Sequence, residues 1–351
     1  MRCFHLTRIV DMNDIKKEDA YRVGKDIAIV VDGATGFQKD IRPDGSIVPL
    51  AQITNETLSS ARIWAENLAE SLYKRAKTDP SCWMTILKKS MREASRKMPL
   101  VRSKFEAFET PSSPVLMMRV LHGVMEVLGS GDCGLLIKYK DGSIDSFVGS
   151  AILEEIRQKR EEKIRSIFPD FNDKTKEEQA KIRFYFMKET RRNLGNFKNG
   201  YFVPHMNGTK NMHRFVGKQK VVSANQNRSL NYHQRGDIWE LYAEVDKIDT
   251  LVLSSDGFVE RILKNQLATA ADLLEAVTDP VKITKLAADL RVVDLTSDSN
   301  PHAMSMKTLN KSVQKTGSAD DATALFGFIQ VKSKDAFLAR QRRLPALRER
   351  D

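Results

Sequence analysis

Two strongly apolar segments of this 351-residue chain each lead into an Asp-Gly pair. Asp32-Gly33 follows IAIVV, and Asp256-Gly257 follows TLVLSS. Both segments are too uniformly apolar for the half-exposed strands of a hairpin, so we predict that they are buried central strands. An ionised carboxylate at the end of a buried strand is costly unless it is paired, hydrogen-bonded or bound to a metal. The two aspartates are therefore interpreted either as caps of the next turn or helix, or as metal ligands.

Two further Asp-Gly pairs have different surroundings. Asp44-Gly45 lies in IRPDGSIV and Asp141-Gly142 lies in IKYKDGSID. Polar residues alternate with apolar ones on both sides of these pairs, which is typical of exposed hairpins. We predict that these two pairs are ordinary turns.

The periodicity of apolar residues predicts a mixture of strands and helices. Two short strands are predicted within 18–31, and helical patterns cover 55–77 and 82–97. No repeat or low-complexity linker divides the chain. An α+β fold, in which paired helices pack on antiparallel sheets, is the simplest interpretation. Further helices are predicted at 151–193, 268–277 and 281–290, and the last strand is ATALFGFIQV, 322–331.

Composition favours a globular protein of the cytoplasm. Hydrophobic residues make up 41% of the chain, which is enough for a sizeable core. Cys3, Cys82 and Cys133 lie far apart without Cys-x-x-Cys spacing, so neither a disulfide framework nor a zinc cluster is indicated. The first ten residues lack the apolar core of a signal peptide, and no segment has the apolar length of a membrane span. We therefore expect a soluble, cytoplasmic protein.

The net charge of +11 is distributed in a way that argues against a nucleic-acid partner. Acidic and basic residues are interleaved in the helical stretch around EEIRQKREEKIR, as on a solvated helix with i to i+4 pairs. A basic tail occupies 332–351. Nucleic acid is therefore not expected as a partner.

Acidic residues also flank two further apolar strands. Glu18-Asp19 opens the first predicted strand, and Asp320-Asp321 precedes the last. Together with the two aspartates above, these positions would place several negative charges at one end of a pair of sheets. Such a cluster is tolerated around divalent cations, and its carboxylate and water ligands suit magnesium or manganese.

The order of these elements resembles that of a known family. The elements EDAY, VVDGATG, GSGDCGLLIKYKDG, LVLSSDGF and DDATALFGF follow one another between residues 18 and 328. In this order they resemble the metal-dependent protein phosphatases, the PPM or type-2C serine/threonine family, and NGYFVPHMNG is similar to the bacterial branch. The resemblance implies a four-layer αββα sandwich of two antiparallel sheets flanked by helix pairs. It also implies one phosphatase domain over 1–331, with a charged helical insertion at about 151–193 before the tail.

The resemblance further implies roles for individual residues around two Mn2+ or Mg2+ ions. Asp32 would bridge the two ions, and the backbone carbonyl of Gly33 would be a further ligand. Glu18 would bind the second ion directly and Asp19 would bind it through a water molecule. The first ion would be held by Asp256 and Asp320, and a third, weaker ion would be held by Asp132.

The implied reaction is hydrolysis of phosphoserine and phosphothreonine on protein substrates by a hydroxide held between the two metals. Two positions depart from the pattern of the eukaryotic members. Asp14 stands where those members have an arginine that binds the phosphate, so Lys16 and Lys17 are the candidates for that role. Ala34 stands where they have a histidine.

Two alternatives to an active protein phosphatase remain open, the first suggested by these departures and the second by the net charge of +11. One is a pseudophosphatase, a catalytically weak or inactive fold that acts as a binding or regulatory module. The other is a two-metal phosphoesterase that acts on nucleic acid, which would show a steep dependence of binding on salt.

Overall fold

The computed structural model describes most of the chain. The described residues are 2–11, 18–34, 40–41, 47–48, 60–98, 110–148, 151–194, 204, 220–221, 231–235, 238–296 and 322–331. The strands are β1 Arg2–Asp11, β2 Ala20–Val23, β3 Ile27–Val31, β4 Asp40–Ile41, β5 Ile47–Val48, β6 Val115–Leu121, β7 Val124–Ser130, β8 Gly134–Tyr139, β9 Ile144–Phe147, β10 Lys220–Val221, β11 Asn231–Arg235, β12 Ile238–Glu244, β13 Ile248–Ser254 and β14 Thr323–Val331. The helices are α1 Ser60–Thr78, α2 Trp83–Lys97, α3 Ala151–Ile167, α4 Lys176–Leu194, α5 Val259–Lys264, α6 Ala270–Ala276 and α7 Pro280–Thr296.

Two antiparallel sheets contain most of the strands. One sheet has seven strands in the order β10-β11-β12-β7-β6-β3-β2, and the other has five in the order β1-β14-β13-β8-β9. The predicted central strands IAIVV and TLVLSS are β3 and β13, and each has a neighbour on both sides. Every residue of β3 is buried. The interpretation of these two segments as buried central strands is confirmed.

The side chains of β3 alternate between two layers of the core, as the pleat of a strand requires. Ile27, Ile29 and Val31 pack on α1 and α2, while Ala28 and Val30 pack against the five-stranded sheet. The helical side of this core is formed by Trp64, Leu68, Leu72, Ile86, Leu87 and Met91, which recur at the spacing of one helix face.

The outer face of the five-stranded sheet is covered by three helices, α5, α6 and α7. Leu136, Val252 and Phe326 point from the sheet into this layer. There the rings of Phe258 and Phe326 pack edge to face, with their centroids 5.7 Å apart. Leu135, Leu253 and Leu325 point the other way, into the core between the sheets. The order helices, sheet, sheet, helices is the predicted αββα sandwich, with three helices instead of a pair on this side.

The predicted insertion forms a helical hairpin. Helices α3 and α4 are joined by residues 168–175, which include a short 3-10 helix over Phe171–Asp173. Ile164, Phe171 and Phe186 form a small core of their own within this hairpin, separate from the layers of the sandwich. The helical prediction for 151–193 is confirmed, and the turn at 168–175 was not predicted.

Several predicted elements change in detail. The first predicted strand begins at Ala20 instead of Glu18, so Glu18 and Asp19 lie just before β2. Strands β1 and β12 were not predicted. Most of NGYFVPHMNG, the stretch similar to the bacterial branch, lies outside the described residues. None of the described helices combines the length and apolar composition needed to cross a membrane.

Candidate metal centre

Strand register brings three loops to the same end of the sandwich. In the seven-stranded sheet Val31 pairs with Val115, and Val115 pairs with Ser130. In the five-stranded sheet Ser254 pairs with Gly134. The turn between Ser130 and Gly134 connects the two sheets, so the residues that follow β3, β7 and β13 meet at one edge.

Three aspartates converge at this edge. Each of Asp32, Asp132 and Asp256 offers a carboxylate oxygen, and these three oxygens all lie within 4.8 Å of one another. Asp132 is buried, while Asp32 and Asp256 are half-buried. Asp256 comes immediately before the turn into α5, whose N-cap residue is Phe258. Asp256 is therefore not the N-cap residue of the following helix.

The electrostatics of Asp32 show how closely the acidic groups are packed. Burial raises the pKa of the Asp32 carboxyl well above its ordinary value, and the negative charges of Asp256, Asp19 and Asp132 raise it further. Removing water and adding negative neighbours both disfavour the ionised form. A bound cation would reverse both effects, because it supplies positive charge and ligand bonds to the same oxygens.

Gly33 packs directly against the backbone that precedes β2. A Cβ atom on Gly33 would lie 2.2 Å from the carbonyl oxygen of Glu18 and 2.6 Å from its carbonyl carbon. The Gly33 backbone N–H also donates a 3.3 Å hydrogen bond to Oδ1 of Asp19. Glu18 and Asp19 are both buried. The structure therefore brings the Glu18-Asp19 pair beside the Asp32-Gly33 segment, as the strand-edge pattern predicted.

A second set of contacts fixes the Asp32-Gly33 segment to the loop before β6. The backbone N–H of Asp32 donates to the carbonyl of Pro114 at 3.0 Å, and that of Ala34 donates to the carbonyl of Ser112 at 2.9 Å. Ala34 and Ser112 form an isolated antiparallel bridge. Asp32-Gly33 is thus held as an extension of β3, and the hairpin-turn alternative does not apply to it.

An arginine from the α3–α4 hairpin reaches the acidic cluster. Nη2 of Arg157 donates a 3.0 Å hydrogen bond to Oδ2 of Asp132. Burial alone would lower the pKa of the Arg157 guanidinium, but the charges of Asp132, Asp256, Glu260 and Glu154 outweigh it, so that the pKa is raised. The guanidinium is therefore a permanent positive charge at the edge of the site.

Sequence reasoning missed Arg157. It lies within EEIRQKREEKIR, where the interleaved charges indicate a solvated helix, and most of its neighbours are indeed exposed. The exposed pair of Lys159 with Glu155 is one of the i to i+4 contacts that this pattern predicts. No local signal distinguishes Arg157 from these residues, because its role depends on where the hairpin docks.

Cys133 follows Asp132 directly but its thiol is not a nucleophile. Burial raises the pKa of the Cys133 thiol well above its ordinary value, and the charges of Asp32, Asp132, Asp256 and Asp19 add to the effect. The thiolate is the reactive form of cysteine, so the raised pKa keeps this side chain inert.

Other predicted residues fall outside the described part of the chain. These include Asp320 and Asp321, the two lysines Lys16 and Lys17, and Asp14. Of the predicted hairpin turns, Asp141-Gly142 is confirmed between β8 and β9, with Gly142 at a φ of 84°. Asp44-Gly45 lies outside the described residues, between the paired strands β4 and β5.

The donor set fits a hard divalent cation. Asp32, Asp132 and Asp256 supply only carboxylate oxygens, which are the ligands that Mg2+ and Mn2+ accept. The pKa of Asp32 is raised first by burial and then by its acidic neighbours, and a bound cation would favour the ionised form that both disfavour. Gly33 packs against the backbone of Glu18, but the carboxylate oxygens that come within 4.8 Å of one another among the described residues are those of Asp32, Asp132 and Asp256.

Comparisons with known proteins return structures and no sequence families. No protein-family model and no curated protein matches the chain. Similar solved structures include the serine/threonine phosphatase PstP/Ppp of Mycobacterium tuberculosis, at 11% identity over 92% of this chain and 97% of that one, with a TM-score of 0.43. The phosphatase Stp1 of Staphylococcus aureus is 9% identical over 92% and 94% of the two chains, with a TM-score of 0.41. The photosystem II phosphatase PBCP is 14% identical over 95% and 98%, with a TM-score of 0.42.

Proposed function

We propose that this protein is a metal-dependent phosphatase that hydrolyses phosphoserine and phosphothreonine on protein substrates. The observation that carries the proposal is the convergence of Asp32, Asp132 and Asp256 within 4.8 Å at the meeting edge of the two sheets. A fold gains no stability from three carboxylates at this distance, so their convergence indicates a site that binds cations. Two-metal sites of this kind catalyse in-line displacement at phosphorus.

The residues divide into ligands and supports. Asp32 would bridge two Mn2+ or Mg2+ ions, with Gly33 adding its carbonyl oxygen, Glu18 binding one ion and Asp256 the other. When bound, the ions supply a hydroxide at neutral pH and offset negative charge on the phosphoryl oxygens. We propose that Asp19 acts through water and that Asp320 completes the set.

The chain's own residues set the geometry of this centre. The Asp19 carboxylate accepts a hydrogen bond from the Gly33 backbone N–H and so fixes the Asp32-Gly33 segment against the residues before β2. Arg62 on α1 donates a hydrogen bond to the carbonyl of Asp19 and holds that segment on the helix layer. These contacts orient the acidic groups before any substrate arrives, which is what electrostatic catalysis requires.

Two further assignments remain part of the proposal. Either Lys16 or Lys17 is proposed as the substrate-phosphate ligand, because Asp14 cannot provide the cation and the alternation of side chains along a strand lets only one of the two face the site. The free thiols of Cys3, Cys82 and Cys133 fit a reducing compartment, and we propose that the protein acts in cytoplasmic signalling.

The test is hydrolysis of a phosphopeptide or p-nitrophenyl phosphate with added Mn2+ or Mg2+. We expect activity that is lost on chelation and falls by at least about a hundredfold in Asp32→Asn and Asp256→Asn. Asp141→Asn is the matched control, because it changes an Asp-Gly pair in an exposed turn, and it should keep full activity. Full activity of a folded Asp32→Asn or Asp256→Asn protein would contradict the metal assignment.

Metal titration by calorimetry separates the alternatives. Binding of Mn2+ together with turnover supports the phosphatase, and binding without turnover of either substrate selects a pseudophosphatase. Metal-dependent cleavage of DNA or RNA with a steep salt dependence would instead select the nucleic-acid phosphoesterase.

A further inference from the structure

The α3–α4 hairpin places the Arg157 guanidinium beside Asp132. Asp132 is the residue that the family resemblance assigns to a third metal ion. Nη2 of Arg157 lies 3.0 Å from Oδ2 of Asp132, whose side chain is only 10% exposed. We propose that the Arg157 guanidinium occupies the third cation position, so that the chain binds two divalent ions and supplies the third positive charge itself. This inference rests on the proposed two-metal function and concerns the part of the site nearest α3.

The acidic groups around Arg157 come from separate elements of the fold. Asp132 lies in the turn between β7 and β8, Asp256 follows β13, Glu260 is on α5, and Glu154 is on α3 itself. Nη1 of Arg157 is 3.5 Å from Oε2 of Glu154. The guanidinium thus stands where these elements bring their negative charges together, which is the location that a divalent cation would also favour.

A third divalent ion would have to displace the guanidinium or share Asp132 with it. A charged hydrogen bond to a nearly buried carboxylate is among the stronger polar contacts in proteins. An ion that shared the carboxylate would be left with Oδ1, because Oδ2 already accepts the hydrogen bond from Arg157. Asp132 therefore does not fit a third metal while Arg157 is in place.

The position of Arg157 is fixed by contacts of the hairpin with the rest of the site. Nζ of Lys264 on α5 lies 3.7 Å from Oε2 of Glu154 and 2.5 Å from Oε1 of Glu260, which links α3 to α5. On the other helix of the hairpin, Arg191 donates hydrogen bonds to the hydroxyl of Ser112 and the carbonyl of Thr110. Both helices of the hairpin therefore contact other elements of the fold, and these contacts hold Arg157 in position beside Asp132.

The guanidinium differs chemically from the ion that it replaces. It supplies charge and N–H donors, but it does not act as a Lewis acid toward water. It is also attached to α3, so its charge is present without any metal in solution. We therefore expect the metal dependence of this protein to lack a weak, high-concentration phase.

The test is the number of Mn2+ ions bound by the full-length protein, measured by calorimetry and by electron paramagnetic resonance. The wild type should bind two ions. Arg157→Met should bind a third, with an affinity at that site raised by roughly tenfold to a hundredfold, which corresponds to the loss of one charged hydrogen bond. Arg157→Lys, which keeps the charge, should still bind two, and so should the double variant Arg157→Met with Asp132→Asn.

The outcomes separate this inference from the proposed function. A wild type that binds three ions, or a folded Arg157→Met protein that binds two, overturns the inference and leaves the two-metal function standing. A wild type that binds no Mn2+ overturns both. If Arg157→Met does not fold, Asp132→Asn alone decides the matter: a count that stays at two supports the inference, and a fall from three to two overturns it.

Discussion

A side chain on Gly33 would collide with the backbone of Glu18, because a Cβ atom there would lie 2.2 Å from the Glu18 carbonyl oxygen. Real Cβ atoms do not approach other heavy atoms this closely, so the two segments pack at a distance that only glycine allows. The glycine of this Asp-Gly pair thus serves close packing at the centre of the proposed metal site.

Gly33→Ala should damage both the fold and the site. The added methyl group forces the Asp32-Gly33 segment away from Glu18 and Asp19. We expect this movement to lower the free energy of unfolding by about 1–3 kcal/mol. The same movement separates proposed ligands and should lower the affinity for Mn2+. Urea denaturation and calorimetry measure the two effects.

Ala34→Gly is the control for this substitution. It changes the adjacent residue without adding volume, and its backbone cost is roughly 1 kcal/mol or less. We expect its affinity for Mn2+ to stay within a few-fold of the wild type. A Gly33→Ala protein with unchanged stability and affinity would show that the close packing is not needed.

The stability of the metal-free protein should depend on pH through Asp32. The pKa of this carboxyl is raised in the folded state, chiefly by burial and then by the charge of Asp256, so protonated Asp32 favours folding. This contribution is fully present below the ordinary carboxyl pKa of about 4 and is lost as pH rises through the raised value. The metal-free protein should therefore lose stability as pH rises from about 4 toward neutrality.

Asp32→Asn tests this explanation, because the amide has no proton to lose. In the presence of a chelator at neutral pH, we expect the variant to melt at least roughly 2–4 °C above the wild type, which corresponds to about 1 kcal/mol. Added Mn2+ should raise the melting temperature of the wild type more than that of the variant. A chelated variant that melts at or below the wild-type temperature at pH 7 would rule out this role of Asp32.

Arg119 ties the loop between α1 and α2 to the seven-stranded sheet. Its Nε donates to Glu126 at 2.7 Å, and its other nitrogens donate to the carbonyls of Asp79 and Ser81 at 3.1 and 2.9 Å. The side chain is 3% exposed and lies over the ring of Trp83. Arg119→Met should lower the free energy of unfolding by about 3 kcal/mol, because it leaves Glu126 and two carbonyls without their donor.

Lys97→Met is the control for Arg119→Met. The Lys97 pair with Glu93 is exposed at the end of α2, and its removal should cost no more than about 1 kcal/mol. Urea denaturation compares the two variants directly. Equal losses of unfolding free energy in the two variants would mean that burial of the Arg119 pair does not stabilise the fold.

The small core of the inserted hairpin should unfold independently of the sandwich. Phe186→Ala removes a buried ring from the cluster with Ile164 and Phe171, at a cost of about 3–5 kcal/mol to that cluster. Amide hydrogen exchange should become faster in α3 and α4 and stay unchanged in β3. The adjacent Tyr185 is 65% exposed, so Tyr185→Ala should leave exchange in both regions unchanged. Faster exchange in β3 of Phe186→Ala would show that the two parts unfold together.

Local pattern predicted the central strands and the residues that follow them. The uniformly apolar IAIVV and TLVLSS were identified as β3 and β13, because a central strand of a layered sheet buries both faces. The N-terminal strand β1 was missed, since its register with β14 shifts between Leu6 and Arg8 and breaks the alternation that marks a strand. A bulge of this kind is set by the partner strand, which local sequence does not contain.

In the candidate metal centre, too, some residues are found from local sequence and others only from the packing of the fold. The sequence placed Asp32 and Asp256 at the ends of strands, because a carboxylate beside an apolar segment is visible locally, whereas Asp132 was singled out only by the family resemblance. Only the tertiary structure decided that the turn after β7 joins the two sheets and brings Asp132 to the other aspartates. Docking of the hairpin likewise decided that Arg157, one of many charges on α3, meets Asp132. Such contacts depend on the packing of elements distant in the chain, and the periodicity of a single helix carries no information about its partner.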